Sequence, residues 1–273
     1  MILHRVPATS ALYGIVDTFW YFDLSASSAA ATGKEKVLPT GTFEFVFNLS
    51  GDQTQVYAGD NTERPINLSG AIMCGVHSRY FLLDAARNGR VVGAHFKPGG
   101  AYPLLRDSAA SFVNRHVNLR AAIGPAADEI RKELAARSEA EAVFDHLGTF
   151  LMSCTNSRNR LSPAVATVLA ELEANPFADP TNELEIGITR KALIEAFKRQ
   201  VGLTPKKFAR VMRFQQVLNE LASADRINWA EIAQRCGYYD QAHFGRDFKE
   251  FSGFSPREYF ARPRRNPNHV PAA

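Results

Sequence analysis

In the stretch DQAHFGRDFKEFSG, Phe244, Phe248 and Phe251 recur at helical spacing, and Asp240 ahead of them is a residue type that caps a helix start. If that apolar stripe is buried, the opposite side carries Gln241, His243, Gly245, Arg246 and Lys249. These side chains suit one kind of chemistry. A glutamine amide pairs with the N6/N7 edge of adenine and an arginine guanidinium with the O6/N7 edge of guanine, each giving about 1–3 kcal/mol of discrimination. Lys249, further along the helix, suits a phosphate instead.

Other chemistry is sparse. Cys74, Cys154 and Cys236 form no CxxC and no disulfide framework, and they read as free thiols in a reducing compartment. Cys74 lies in an apolar run, which raises a thiol pKa rather than activating it. The adjacent Gly99 and Gly100 lack the spacing of a phosphate loop and read as a tight turn. No nucleophile–base grouping stands out, so neither a catalytic residue nor a cofactor is expected.

Charge is divided unevenly. Residues 1–155 hold 14 Lys+Arg against 15 Asp+Glu, whereas residues 156–273 hold 18 against 13. The basic excess therefore sits in the C-terminal part, where a polyanionic partner would bind. No stretch approaches the ~18 apolar residues of a membrane span, and MILHRVPATSAL lacks the apolar run of a signal peptide. A soluble cytoplasmic protein, at the bacterial nucleoid and without a membrane partner, is the expectation.

The elements that must hold these side chains come from a repeat. FKRQVGLTPKKF from Phe197 and FKEFSGFSPREY from Phe248 align at an offset of 51 residues. Phe197 matches Phe248, Gly202 matches Gly253, Thr204-Pro205 matches Ser255-Pro256, and Thr189 matches Asp240. Each unit predicts a capped helix, a closing glycine and a second capped helix. WAEIAQRCG precedes the second unit as a short helix and a glycine turn, which completes a helix-turn-helix. In the first unit Arg190, Lys191, Ile194, Glu195 and Lys198 fall on the matching exposed face. Pro205 to about Ala222 predicts a connecting helix of about 27 Å, able to hold two readers about one DNA turn, ~34 Å, apart.

INWAEIAQRCGYYDQAHFGRDFKEFSGFSPREYF resembles the second helix-turn-helix of AraC-type transcription regulators through Ala233, Gly237, Tyr238, Phe244, Arg246, Phe248, Lys249, Gly253, Pro256 and Tyr259. GITRKALIEAFKRQVGLTPKKFARVMRF resembles the matching part of the first unit. The resemblance spans Ser162 to Ala261. It implies a sequence-specific regulator bound to double-stranded DNA, with Gln241, His243 and Arg246 toward the major groove. One departure stands out: where the family places Leu-Ala before the first turn glycine, this chain has Asn182 and Glu183. That feature favours the other functional class, an interaction protein without DNA binding.

The first ~105 residues read as short strands. VDTFWYFDL, TFEFVFNL, QVYAG, INLSGAIMCGV and GRVVGAHF are aromatic and β-branched runs separated by turn residues. In TFEFVFNL, Phe43, Phe45 and Phe47 share one face and Glu44, Val46 and Asn48 the other. Amphipathic helices follow to Cys154, and the polar TNSRNR reads as a linker. The expected fold class is α+β: a small antiparallel β barrel or sandwich with helices over residues 1–155, then an all-α pair of helix-turn-helix units over residues 162–263. VLPTGTFEFVFNL, GVHSR and VVGAHFKPGGAYPLL resemble the cupin-like domain of one uncharacterised branch of the AraC-type regulators. That resemblance implies a sensing or dimerisation role, with Trp20, Phe22, His77, Arg79 and His95 as candidate effector contacts. His77 and His95 lack the His-x-His and following Glu of metal-binding cupins, so no metal is expected. The partners this reading allows are DNA, RNA polymerase, a small-molecule effector and a second copy of the chain.

Overall fold

The alternation of aromatic and polar residues in the first half resolves into ten strands among the described residues, and an eleventh lies near the C-terminal end. A computed structural model describes residues 2–7, 12–23, 33–57, 64–84, 89–156, 159–178, 187–223, 227–263 and 266–272. The strands are β1 (Ile2–Pro7), β2 (Val16–Asp23), β3 (Lys34–Val37), β4 (Glu44–Asn48), β5 (Gln53–Tyr57), β6 (Ile66–Ser69), β7 (Ala71–Cys74), β8 (Phe81–Asp84), β9 (Arg90–Phe96), β10 (His116–Asn118) and β11 (His269–Pro271). They form two antiparallel sheets, ordered β1-β2-β9-β4-β7-β10 and β11-β3-β8-β5-β6. Of the two expected forms, barrel or sandwich, two facing sheets are what the chain builds.

The larger sheet has two unlike faces, as a period of two requires. Phe19, Tyr21, Phe45, Phe47, Met73, Val92, Ala94 and Phe96 are buried in the main core. There Phe144 of helix α3 (Ala140–Cys154) stacks on Phe19 at 6.2 Å and meets Tyr21 edge-on at 6.4 Å. Helices α1 (Leu119–Ile123) and α2 (Ala126–Ala135) cover the same face through Leu119, Ile130 and Leu134. On the other face Val46, Ile72 and Cys74 pack against Val56, Leu68 and Leu83 of the smaller sheet. Strand register fixes a polar row on this face: Glu44 lies opposite His95 on one side and Cys74 on the other, and Cys74 lies opposite His116.

The second half is helical: α4 (Pro163–Ala174), α5 (Arg190–Val201), α6 (Pro205–Ser223), α7 (Trp229–Arg235), α8 (Gln241–Ser252) and α9 (Pro256–Ala261). Phe197 meets Phe208 at 5.8 Å, and Phe214 meets both Phe248 and Phe251 at 5.2 Å, so α6 is the spine that joins both units. At 19 residues it runs about 28 Å. Asn182 and Glu183 lie outside the described residues.

The two halves are fastened to each other. The polar stretch between them is bound where it is described: Asn156 N–H donates to the Pro103 carbonyl at 2.8 Å and the Asn159 amide to the Leu105 carbonyl at 2.9 Å. The Gln215 amide of α6 donates to the Pro39 carbonyl at 2.7 Å and to Asn268 at 2.8 Å. Lys36 of β3 is buried between the rings of Tyr80 and Phe254, its Nζ 4.1 and 4.3 Å from their centroids. After α9 the chain returns to the β domain, where β11 pairs with β3.

Candidate nucleic-acid interface

Both predicted readers exist as helices, and each is held by its ends. The Thr189 hydroxyl accepts from Ala192 N–H at 3.2 Å, and the Asp240 carboxylate from His243 N–H at 2.6 Å. Such caps contribute about 1 kcal/mol each. The turns before them use Gly187 and Gly237 at φ +72° and +64°, a region closed to most side chains. Gly202 and Gly253 end the two helices. Ahead of the second reader, Asn228 caps α7 by accepting from the N–H groups of Ala230 and Glu231.

The second reader is anchored by charge as well as by packing. Phe244, Phe248 and Phe251 are buried, and so is Asp247 between them. The Asp247 carboxylate accepts two bonds from the Arg210 guanidinium of α6, at 3.2 and 2.7 Å. Arg210 also bonds Glu250, which in turn accepts from Lys207. Asp247 and Glu250 push the Arg210 pKa upward, so this cation stays charged at any pH the fold survives. The α6–α8 angle is therefore set by a two-point fork.

With that face fixed inward, Gln241, Ala242, Arg246 and Lys249 are exposed on the other. Among the described residues Arg246 has no hydrogen bond or ion pair, which leaves its five donors for an external acceptor. His243 stands apart from this group. Its ring packs edge-on against Tyr238 at 5.3 Å, and its Nε2 lies 3.8 Å from Asp247, so it occupies the flank of the face. Helical spacing alone had grouped it with Gln241 and Arg246. Tyr239, 94% exposed just ahead of the cap, is a large side chain at the mouth of the reader that the sequence reading passed over. A second consecutive aromatic after a turn glycine is the signal that could have found it.

In the first unit Arg190, Lys191 and Glu195 are exposed, and Ile194 and Lys198 are half-buried. Lys198 bonds Glu195 at 3.1 Å, one helical turn away, which removes part of its charge from solvent. Among the described residues no helix is long and apolar enough to cross a membrane.

The candidate effector contacts fall into three places. Trp20 and His95 converge on Glu44: the indole N–H donates to its carboxylate at 2.6 Å, and His95 Nδ1 lies 3.7 Å away. His95 Nε2 also bonds Thr42 at 3.0 Å. Burial pushes the Glu44 carboxyl up, but the His95 and Trp20 contacts outweigh it and hold it below its ordinary value. Phe22 lies two residues along β2 from Trp20 and is half-buried. His77 sits elsewhere, with its ring 4.6 Å from Phe81 and from His116. Burial lowers both imidazoles, His77 strongly and His116 to about 4, and among the described residues the buried Nε2 atoms of both have no hydrogen-bond partner. Arg79 is exposed on the loop between β7 and β8. Glu44 and His116 were missed as site residues. Their signal was a lone carboxylate or imidazole at an inward strand position, which becomes visible only once register is known.

Burial and the nearby Glu44 raise the Cys74 thiol well above its usual value, the direction expected from its apolar run. Among the described residues no group of three or more His, Cys, Asp or Glu side chains could hold a metal ion.

Comparison with known proteins agrees with this geometry. Residues 4–118 match a domain of unknown function, DUF6597, and residues 184–262 match a helix-turn-helix domain. The HTH-type transcriptional activator RhaS of Escherichia coli strain K12 / DH10B is 31% identical over 107 residues, 38% of this chain. That stretch spans only 36% of the relative's own length. A probable AraC family transcriptional regulator from Rhodopseudomonas palustris CGA009 is 33% identical, covering 37% of this chain and 100% of that one, with a TM-score of 0.33. Unsaturated fatty acid bound ToxT from Vibrio cholerae strain SCE256 is 12% identical over 95% of this chain and 94% of its own, with a TM-score of 0.41. The chain thus carries a DUF6597 domain over residues 4–118 and a helix-turn-helix domain over residues 184–262, and its C-terminal part is similar to that of a transcriptional activator of the helix-turn-helix type.

Proposed function

We propose that this protein is a transcription regulator that binds specific sequences in double-stranded DNA. The observation that carries the reading is α8: a helix locked on one side by the Arg210–Asp247 fork presents Gln241, unengaged Arg246 and Lys249 on the other. Gln241 and Arg246 read bases in the major groove, with His243 at the edge of the contact, and Lys249 meets phosphate. In the first unit Arg190, Lys191 and Lys198 add backbone affinity, while Ile194 and Glu195 make a surface less suited to base reading. Residues 1–155 serve as the sensing or dimerisation domain and residues 162–263 as the DNA-binding domain. An effector meets the inner face around Trp20, Phe22 and His95, with His77 and Arg79 as further contacts. The Gln215 and Lys36 contacts between the halves support such control, because a change in the β domain is felt directly by α6 and by the turn after α8.

The test uses duplexes selected by the full-length protein from a random pool. Arg246→Ala should flatten base preference at one position. Lys249→Ala should weaken all sequences alike and lower the slope of log affinity against log salt by about 1. Equal loss for selected and random DNA on Arg246→Ala removes the base-reading role.

A further inference from the structure

The reading face of α8 has a gap at its centre. Gly245 lies one turn after Gln241, one turn before Lys249 and next to Arg246, well inside the helix Gln241–Ser252. Glycine is a poor choice for a helix interior, where alanine is preferred. Some other glycines of the chain have an internal reason. A Cβ on Gly93 would meet Trp20 Cε2 at 2.2 Å, and one on Gly237 would meet Phe177 Cδ1 at 2.2 Å. Gly245 has none: a Cβ there meets nothing within 4 Å, and its φ is not among the positive ones. Among the described residues nothing asks for the missing side chain.

We propose that Gly245 is a specificity-determining position, left bare so that α8 seats deep enough in the major groove for Gln241 and Arg246 to reach base edges. The inference rests on the DNA-reading role proposed above. The useful range of an N–H···O bond is narrow, about 2.7–3.2 Å between heavy atoms. A methyl group at the contact holds the helix off by more than that tolerance. Long, flexible phosphate contacts such as Lys249 can follow a small retreat, whereas the bidentate base contacts of Gln241 and Arg246 cannot. Ala242, exposed beside Gly245, keeps the same floor low. The first unit shows the converse: Ile194 stands at the position matching Gly245, and Glu195, bonded to Lys198, at the position matching Arg246. That helix stands off from the bases by a side chain and works on the backbone.

The experiment compares wild type, Gly245→Ala and Gly245→Leu as full-length proteins. Each is titrated against the duplex that wild type selects from a random pool and against random duplex, and its thermal midpoint is recorded. Gly245→Ala should raise the midpoint by about 2 to 4 °C, since it removes a helix-interior glycine. It should weaken the selected duplex by about tenfold or more and leave random duplex within about twofold, with Gly245→Leu weaker still on the selected duplex. Unchanged affinity of Gly245→Ala for the selected duplex overturns this proposal alone. A lowered midpoint also overturns it, because the glycine then serves the fold. Failure of wild type to enrich any sequence removes the DNA-reading role and this inference together.

Discussion

Replacing Arg210 by methionine keeps an unbranched apolar side chain and removes the charged fork, together with the guanidinium that lies 5.2 Å from the Phe251 ring centroid. The consequence falls on Asp247, whose side chain is 6% accessible and whose two charge-assisted bonds both come from Arg210. Removing one partner of a fully buried ion pair costs about 3–5 kcal/mol, because the other charge stays desolvated. Arg210 itself is 23% accessible, and water can enter the space it leaves, so the expected cost is at the lower end or below, about 2–3 kcal/mol. In urea this appears as a lower midpoint at unchanged slope, and in a thermal scan as a fall of about 5 to 10 °C. The double variant Arg210→Met/Asp247→Leu replaces the pair by apolar groups and should recover to within about 1 kcal/mol of wild type. A single variant within about 0.5 kcal/mol of wild type, or a double variant no more stable than the single, refutes the view that a desolvated carboxylate sets the α6–α8 joint.

Two further outcomes test the β domain. His116 stays neutral in the fold down to about 4 and burial holds His77 well below its ordinary value, whereas both titrate near 6.5 when unfolded, so the unfolded chain takes up protons first and stability falls as pH drops from about 6.5 to about 4. His116 alone accounts for at most about 3 kcal/mol of this loss; urea midpoints at pH 7 and pH 4.5 measure it, and a His116→Phe variant with the same pH dependence would contradict the assignment. Gly93→Ala puts a Cβ 2.2 Å from Trp20 Cε2 and must displace the indole from Glu44; a loss of about 1–3 kcal/mol with a shifted near-ultraviolet tryptophan signal is expected, and an unchanged signal would count against it.

Much of this protein was legible from rules that act over a few residues. The caps Thr189 and Asp240, the helix-closing Gly202 and Gly253, and the i, i+4 phenylalanines of α8 depend only on neighbours within about one turn. The 51-residue repeat therefore placed both helices before any contact was known. The alternation in β4 likewise separated Phe45 and Phe47 from Glu44 and Val46, and the structure puts those pairs on opposite faces. What lay across those faces was not legible, because register pairs residues far apart in the chain. Glu44 meets His95 and Cys74, and Cys74 meets His116, only once β9, β4, β7 and β10 are aligned, and no local pattern specifies that alignment. The same holds for Asp247, which reads as one more surface charge until α6 brings Arg210 onto it, and for His243, which Tyr238 draws to the flank. Lys36 too is ordinary in sequence; only the docking of the turn at Gly253 on β3 buries it between Tyr80 and Phe254. Local rules decided which segments are strands, helices and turns, since short-range hydrogen bonding and periodicity settle those choices. Tertiary structure decided which charges are buried and which stay exposed to solvent, because desolvation is a property of everything packed around a group rather than of the residues beside it in the chain.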